Sequence, residues 1–258
     1  MVMRMRNVSW RIDGKHILRN ISWDVRPAEH WAVIGLNGSG KTSLLNMISG
    51  YIWPSTGEVS VLGSRFGECD VRDLRKSIGI VSASLQQRFY SGETSLEIVL
   101  SGYDATIGLY DTPGKKKIAS ALTLLEKMNC SQLTEQTYGT LSQGEKQKIL
   151  IARALICDPN ILILDEPCAG LDFVSREHLL STIEHLATKS FVPSILYVSH
   201  HIEEIIPSFS HLLLLRKGEI YAAGKRESLI TTETLSDFFE MPVNVHKTKG
   251  RIWLSVNR

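Results

Sequence analysis

The sequence predicts an α/β fold built on a mainly parallel sheet, with an antiparallel β region at the N-terminus and a helical insertion in the middle. Three observations lead there. Short apolar runs at residues 31–34, 78–81, 161–164, 194–199 and 211–215 read as buried strands separated by stretches that leave room for helices, the alternation that makes a parallel sheet. Residues 4–25 show short alternating runs broken at Asp13-Gly14-Lys15, as antiparallel strands around a tight turn do. From about residue 84 to 138 the apolar positions fall at helical spacings: Leu96, Val99 and Leu100, then Ile118, Ala121, Leu122 and Leu125. The expected organisation is a core of residues 1–83 and 139–258, with a helical subdomain, 84–138, inserted in it.

Composition narrows the class. The 258 residues suffice for one large domain or two small ones with a real core. With 43% hydrophobic residues and a net charge of +2, nothing points to nucleic acid as the main partner. Cys69, Cys130, Cys157 and Cys168 form no C-x-x-C pair, which suits reduced thiols in the cytosol. The N-terminus has Arg4, Arg6 and Arg11 but no apolar run of a signal peptide. The longest apolar stretches, 161–164 and 212–215, are too short to span a bilayer. Membrane work is therefore expected to pass through a partner.

Taken in order, Pro27-Ala28-Glu29 turns the chain into the strand at 31–34. Next comes Gly35-Leu36-Asn37-Gly38-Ser39-Gly40-Lys41-Thr42, then Ser43 and an apolar helical start. A Gly, four free positions and Gly-Lys-Thr between strand and helix form a phosphate-binding loop. Its glycines let backbone N–H groups turn inward, and the helix adds its positive end. Lys41 suits the β- and γ-phosphates, and the Thr42 hydroxyl suits Mg²⁺. The fold class thus sharpens to a P-loop NTPase core, and the chain is expected to bind a nucleoside triphosphate.

Further on, turn signals at Pro54 and Thr56-Gly57 precede a strand around Val59 and Val61. Residues 70–76 read as a short polar helix. The loop 102–117 ends in Lys115-Lys116-Lys117, read as a solvated face. Leu141-Ser142-Gln143-Gly144-Glu145 opens a helix to about Cys157, with Ser142 and Glu145 at capping-box spacing. Pro159 separates that helix from the strand at 161–164, which ends in Asp165-Glu166-Pro167. A carboxylate at the C-terminal end of a parallel strand faces the ligand crevice. Asp165 can there join the Mg²⁺ shell beside Thr42, and Glu166 can polarise an attacking water. Residues 243–245 and 252–254 read as a hairpin turning at Lys249-Gly250.

In this order the motifs resemble the nucleotide-binding subunit of an ATP-binding cassette (ABC) transporter, over nearly the whole chain. Leu141-Ser142-Gln143-Gly144-Glu145 is similar to the family's signature motif, and Asp165-Glu166 to its Mg²⁺ aspartate and catalytic glutamate. Ala169-Gly170-Leu171-Asp172 is similar to its D-loop, and Ser199-His200 to its switch histidine. The resemblance implies the ABC ATPase architecture, Mg²⁺ and ATP as cofactors, and a homodimer of cassettes stacked head to tail. One subunit's phosphate loop then holds the triphosphate while the other's Ser142 and Gly144 cap the γ-phosphate. His200 contacts that phosphate, and Asp172 couples the two sites.

Three positions depart from the family pattern. The signature usually reads Leu-Ser-Gly-Gly-Gln, whereas this chain has Gln143 third and Glu145 fifth. The Q-loop glutamine usually follows the strand 78–81 within two residues, where Ser82-Ala83 stand here. Gln86 and Gln87 come slightly later, and Gln86 is taken as the Mg²⁺ and water ligand. Ile12 occupies the usual adenine-stacking position. Trp10 either replaces it, worth about 1–3 kcal/mol of stacking, or packs in the core.

The resemblance implies an ATPase subunit on the cytoplasmic face of a membrane, docked on separate membrane-spanning subunits through the helical insertion and the loop around Gln86. A soluble ABC ATPase acting on a cytoplasmic assembly is the alternative. The segment Leu100-Ser101-Gly102-Tyr103-Asp104 through Gly108-Leu109-Tyr110 is similar to a branch of the family linked to molybdate-type transport. Cargo, import versus export and the partner's identity are not written in these residues.

Overall fold

A computed structural model describes residues 1–188 and 193–256. The chain runs β1 (Met3–Ile12), β2 (Lys15–Val25), β3 (Trp31–Ile34), α1 (Lys41–Ile48), β4 (Thr56–Val61), β5 (Ser64–Arg65), α2 (Val71–Lys76) and β6 (Ile78–Ser82). It continues through α3 (Ala83–Gln86), α4 (Ser95–Ser101), α5 (Lys115–Lys127), α6 (Gln143–Leu155), β7 (Ile161–Asp165) and α7 (Phe173–Ala187). The last part holds β8 (Ser194–Ser199), β9 (His211–Arg216), β10 (Glu219–Lys225), α8 (Arg226–Leu229), α9 (Thr232–Phe239), β11 (Val243–Thr248) and β12 (Arg251–Val256).

β1 and β2 pair antiparallel around Asp13-Gly14, both with positive φ, the hairpin turn the sequence implies. With β4 and β5 they make a four-stranded sheet in the order β2-β1-β4-β5. The main sheet has six strands in the order β10-β9-β3-β8-β7-β6, all neighbours parallel except β10 on β9. Its central strands are buried on both faces, which is why they read as continuous apolar runs. Ala32, Ile34, Leu162, Leu164 and Tyr197 pack into one core with the helices α4 to α7 and α9. Trp31, Val33, Ile161, Ile163 and Val198 face the other core, shared with α1 and the antiparallel sheet. The mainly parallel α/β architecture is therefore as expected.

From α3 to α6 the chain forms helical turns joined by loops, with one isolated bridge between Thr94 and Thr137. Near the C-terminus, β11 and β12 pair around Lys249-Gly250, again with φ positive at both. The parallel register aligns the strand ends: Ile34 lies opposite Ser199, and Asp165 opposite both Val198 and Ser82. Whatever follows β3, β7 and β8 thus emerges along one edge of the sheet.

Candidate nucleotide site

At that edge β3 runs into Gly35, whose N–H donates to the Ser199 carbonyl at 3.4 Å. A Cβ at Gly35 would collide with the Ser39 hydroxyl and sit 2.7 Å from the Leu215 carbonyl, so the loop closes only around glycine. Gly40, with φ 102°, caps α1 without any side-chain hydrogen bond. The first amides of α1 are thus left to an anion. Ser39 Oγ is buried with no partner, a cost unless a ligand oxygen meets it. Together these features fit a phosphate group. Lys41 is buried; its Nζ donates to the carbonyls of Gly35 at 2.8 Å and Leu36 at 3.3 Å. Asn37 and Gly38 are exposed at the loop's tip, and Thr42 and Ser43 open the helix.

The carboxylates come next to it. Glu166 Oε1 lies 3.5 Å from Lys41 Nζ and 3.2 Å from His200 Nδ1, the latter without hydrogen-bond alignment. Glu166 has φ 49°, a left-handed conformation costing a non-glycine residue about 1–3 kcal/mol, fixed here by its N–H to the Val198 carbonyl at 2.9 Å. Burial, and then the neighbouring Glu166 charge, push the Asp165 carboxyl up to about 6 against the pull of Lys41. The Asp165 carboxylate and the Thr42 hydroxyl are oxygen donors of the kind Mg²⁺ shared with phosphate takes.

A second group of expected residues stands elsewhere. Ser142 is the N-cap of α6: its Oγ accepts from the Glu145 N–H at 3.3 Å, while the Glu145 carboxylate accepts from the Ser142 N–H at 2.8 Å. Asp172 caps α7 in the same way, its carboxyl held below the ordinary aspartate value by hydrogen bonds from Ser175. A Cβ at Gly144 would lie 3.4 Å from that of Ser175, so the starts of α6 and α7 stand side by side. Ser142 and Asp172 are both exposed, and their side chains hydrogen-bond within their own caps, to Glu145 and Ser175.

Comparison with known proteins decides the family. A family model described as ABC transporter matches residues 18–169. The chain belongs to the ABC transporter family. It is 48% identical over 256 residues to YlmA of Bacillus subtilis (strain 168), an ABC transporter ATP-binding protein, covering 99% of this chain and 97% of that one. It is 31% identical over 230 residues to the molybdenum import ATP-binding protein ModC of Mesorhizobium japonicum, covering 86% and 60%. Among solved structures, the ABC cassette MJ0796, a dimer bound to ADP and Pi, superposes with a TM-score of 0.73 at 24% identity, covering 86% and 98%. The protein is an ATP-binding subunit of the ABC transporter class and an ATPase.

Two of the expected ligands, Gln86 and Trp10, make contacts with other parts of this ABC chain. Gln86 Nε2 donates to Gln143 Oε1 at 2.6 Å, and its Oε1 accepts from Gln147 Nε2 at 3.0 Å. Its amide meets α6 and makes no hydrogen bond to Thr42, Asp165 or Glu166. Trp10 is half-buried opposite Leu18 and packs on the N-terminal core, whereas Ile12 is 45% exposed.

Other residues that shape this ABC site escaped the sequence motifs. Glu204, only 3% exposed, accepts hydrogen bonds from Ser199 Oγ at 2.6 Å and Tyr197 OH at 2.8 Å. The Tyr197 hydroxyl also lies 3.3 Å from Cys168 Sγ, just before the D-loop. This buried knot anchors the end of β8, hence His200. Arg251 of β12 makes a bidentate pair with Glu177 of α7 at 2.7 and 3.0 Å and reaches the Glu203 carbonyl at 3.0 Å. The only sequence signal for either was proximity to a motif.

Proposed function

We propose that two copies of this chain close on two ATP molecules, each hydrolysed at a site shared between subunits. Carrying this reading is the grouping just described: Lys41, Asp165, Glu166 and His200 converge on one crevice, while Ser142, Gly144 and Asp172 gather at the adjoining starts of α6 and α7, Ser142 and Asp172 exposed. Lys41 exchanges its backbone carbonyl partners for the β- and γ-phosphates, joined by the free amides of α1 and Ser39. Thr42 and Asp165 would hold Mg²⁺, which neutralises charge on the phosphates when bound. Glu166 orients water and takes its proton, and His200 steadies Glu166. The partner's Ser142 and Gly144 N–H, at the positive end of α6, cap the γ-phosphate, and Asp172 links the two sites. Trp10 is the proposed adenine platform.

The transported cargo is proposed to be an oxyanion of the molybdate type, imported through separate membrane subunits. The relation to ModC and the segment 100–110 support this reading. Among the described residues no helix is long and apolar enough to cross a membrane, so docking is assigned to a surface. A groove of about 980 Å³ lies between α2, α3 and the 3-10 turn Gly102–Asp104, lined by Tyr51, Arg72, Arg75, Arg88 and Tyr110 among others. Its cations and tyrosines suit an acidic cytoplasmic segment of the membrane partner, which would place the chain at the inner face of that membrane. Affinity capture from native membranes tests this: a polytopic protein whose capture is lost in Arg72→Glu/Arg88→Glu is expected. Capture of only soluble assemblies would contradict it.

A further inference from the structure

We propose that Gln86 is a positioning residue that holds the start of α6, and not a Mg²⁺ ligand. The proposal rests on the reading that Ser142 and Gly144 cap the partner's triphosphate. Both ends of the Gln86 amide are in use, one on Gln143 and one on Gln147. Gln147 is 4% exposed, and its own Oε1 has no partner. Withdrawing Gln86 to serve a cation would leave that buried amide wholly unsatisfied. Gln143 is the first residue of α6, lying between the N-cap Ser142 and Gly144. A hydrogen bond to it therefore fixes the direction in which the helix presents both capping groups.

The geometry also explains what lies behind Gln86. It ends α3, which follows β6 directly, and Ser82 at the end of β6 stands beside Asp165 in the sheet. Leu85, just before Gln86, and Arg88, two residues after it, line the groove described above. One short segment thus touches the catalytic strand, the groove and the start of α6. Gln86 and Gln143 both stand where this chain departs from the family's pattern, and they bind each other. Displacing α3 moves the capping groups through this pair.

The test is a double-mutant cycle on ATP-driven dimerisation, measured by light scattering in the full-length Glu166→Gln background. Gln86→Met and Gln143→Ala are each expected to weaken dimerisation about three- to tenfold. The double variant should be no weaker than the worse single one, with MgATP affinity of the monomer unchanged throughout. Gln143 is an exposed helix-start residue, so its variant remains informative even where Gln86→Met fails to fold: dimerisation within twofold of the parent would overturn the proposal. So would single effects that multiply in the double variant. A loss of about tenfold or more in monomer MgATP affinity confined to Gln86→Met would return Gln86 to the metal. Ser142→Ala separates the two layers: if it leaves dimerisation untouched, the shared-site reading itself fails, whatever the glutamines do.

Discussion

Asp165 ends β7 with its carboxyl buried beside the Glu166 charge, and its pKa of about 6 exceeds that of an exposed aspartate. Folding therefore favours the protonated form: the stability tied to this group is full below about pH 4 and is lost as pH rises through about 6. Asp165→Asn is expected to stabilise the nucleotide-free protein by about 1–3 kcal/mol at neutral pH, with the gain vanishing below about pH 4. Thermal melts across pH read this directly, and Mg²⁺-dependent hydrolysis should be lost in the same variant. A melt independent of pH between wild type and variant would remove the electrostatic strain. Glu166→Gln, one residue on, should retain ATP and slow turnover by about 10²–10⁴. Unchanged turnover would assign the base elsewhere.

Secondary-structure elements set which of these residues could be read in advance. The phosphate loop, Asp165-Glu166 and Ser199-His200 were legible because strand, motif and helix are contiguous, and the parallel register then brings the strand ends together. Ser142 and Glu145 were legible for the same reason: a capping box spans four residues. Glu204 was not, because a Glu203-Glu204 pair reads as a solvated turn until Tyr197 and Ser199 close over it. The partners of Gln86 stand 57 and 61 residues away, beyond any local pattern. β10, with Ala222-Ala223-Gly224, lacks alternation and is defined by its pairing with β9. The hairpin β11–β12 was visible, but its anchor was not. Arg251→Ala should cost about 1–3 kcal/mol, because Glu177 and the Glu203 carbonyl lose a charged, half-buried donor. Faster hydrogen exchange confined to β11, β12 and the start of α7 is expected; unaltered exchange there would show the pair to be idle.

For the whole molecule, the sheet gathers the catalytic groups at one edge while α6 and α7 turn their capped starts outward, side by side. In the proposed reading each copy supplies two half-sites, which ATP joins between copies. The net charge of +2 leaves only weak repulsion between like copies, so association falls to the nucleotide and its contacts. The initial rate of ATP hydrolysis as a function of protein concentration bears on this most directly. Second-order dependence at low concentration, giving way to first order as dimers saturate, is the expected result. Strict first-order dependence down to the lowest concentration at which the protein is shown to be monomeric would contradict the shared site.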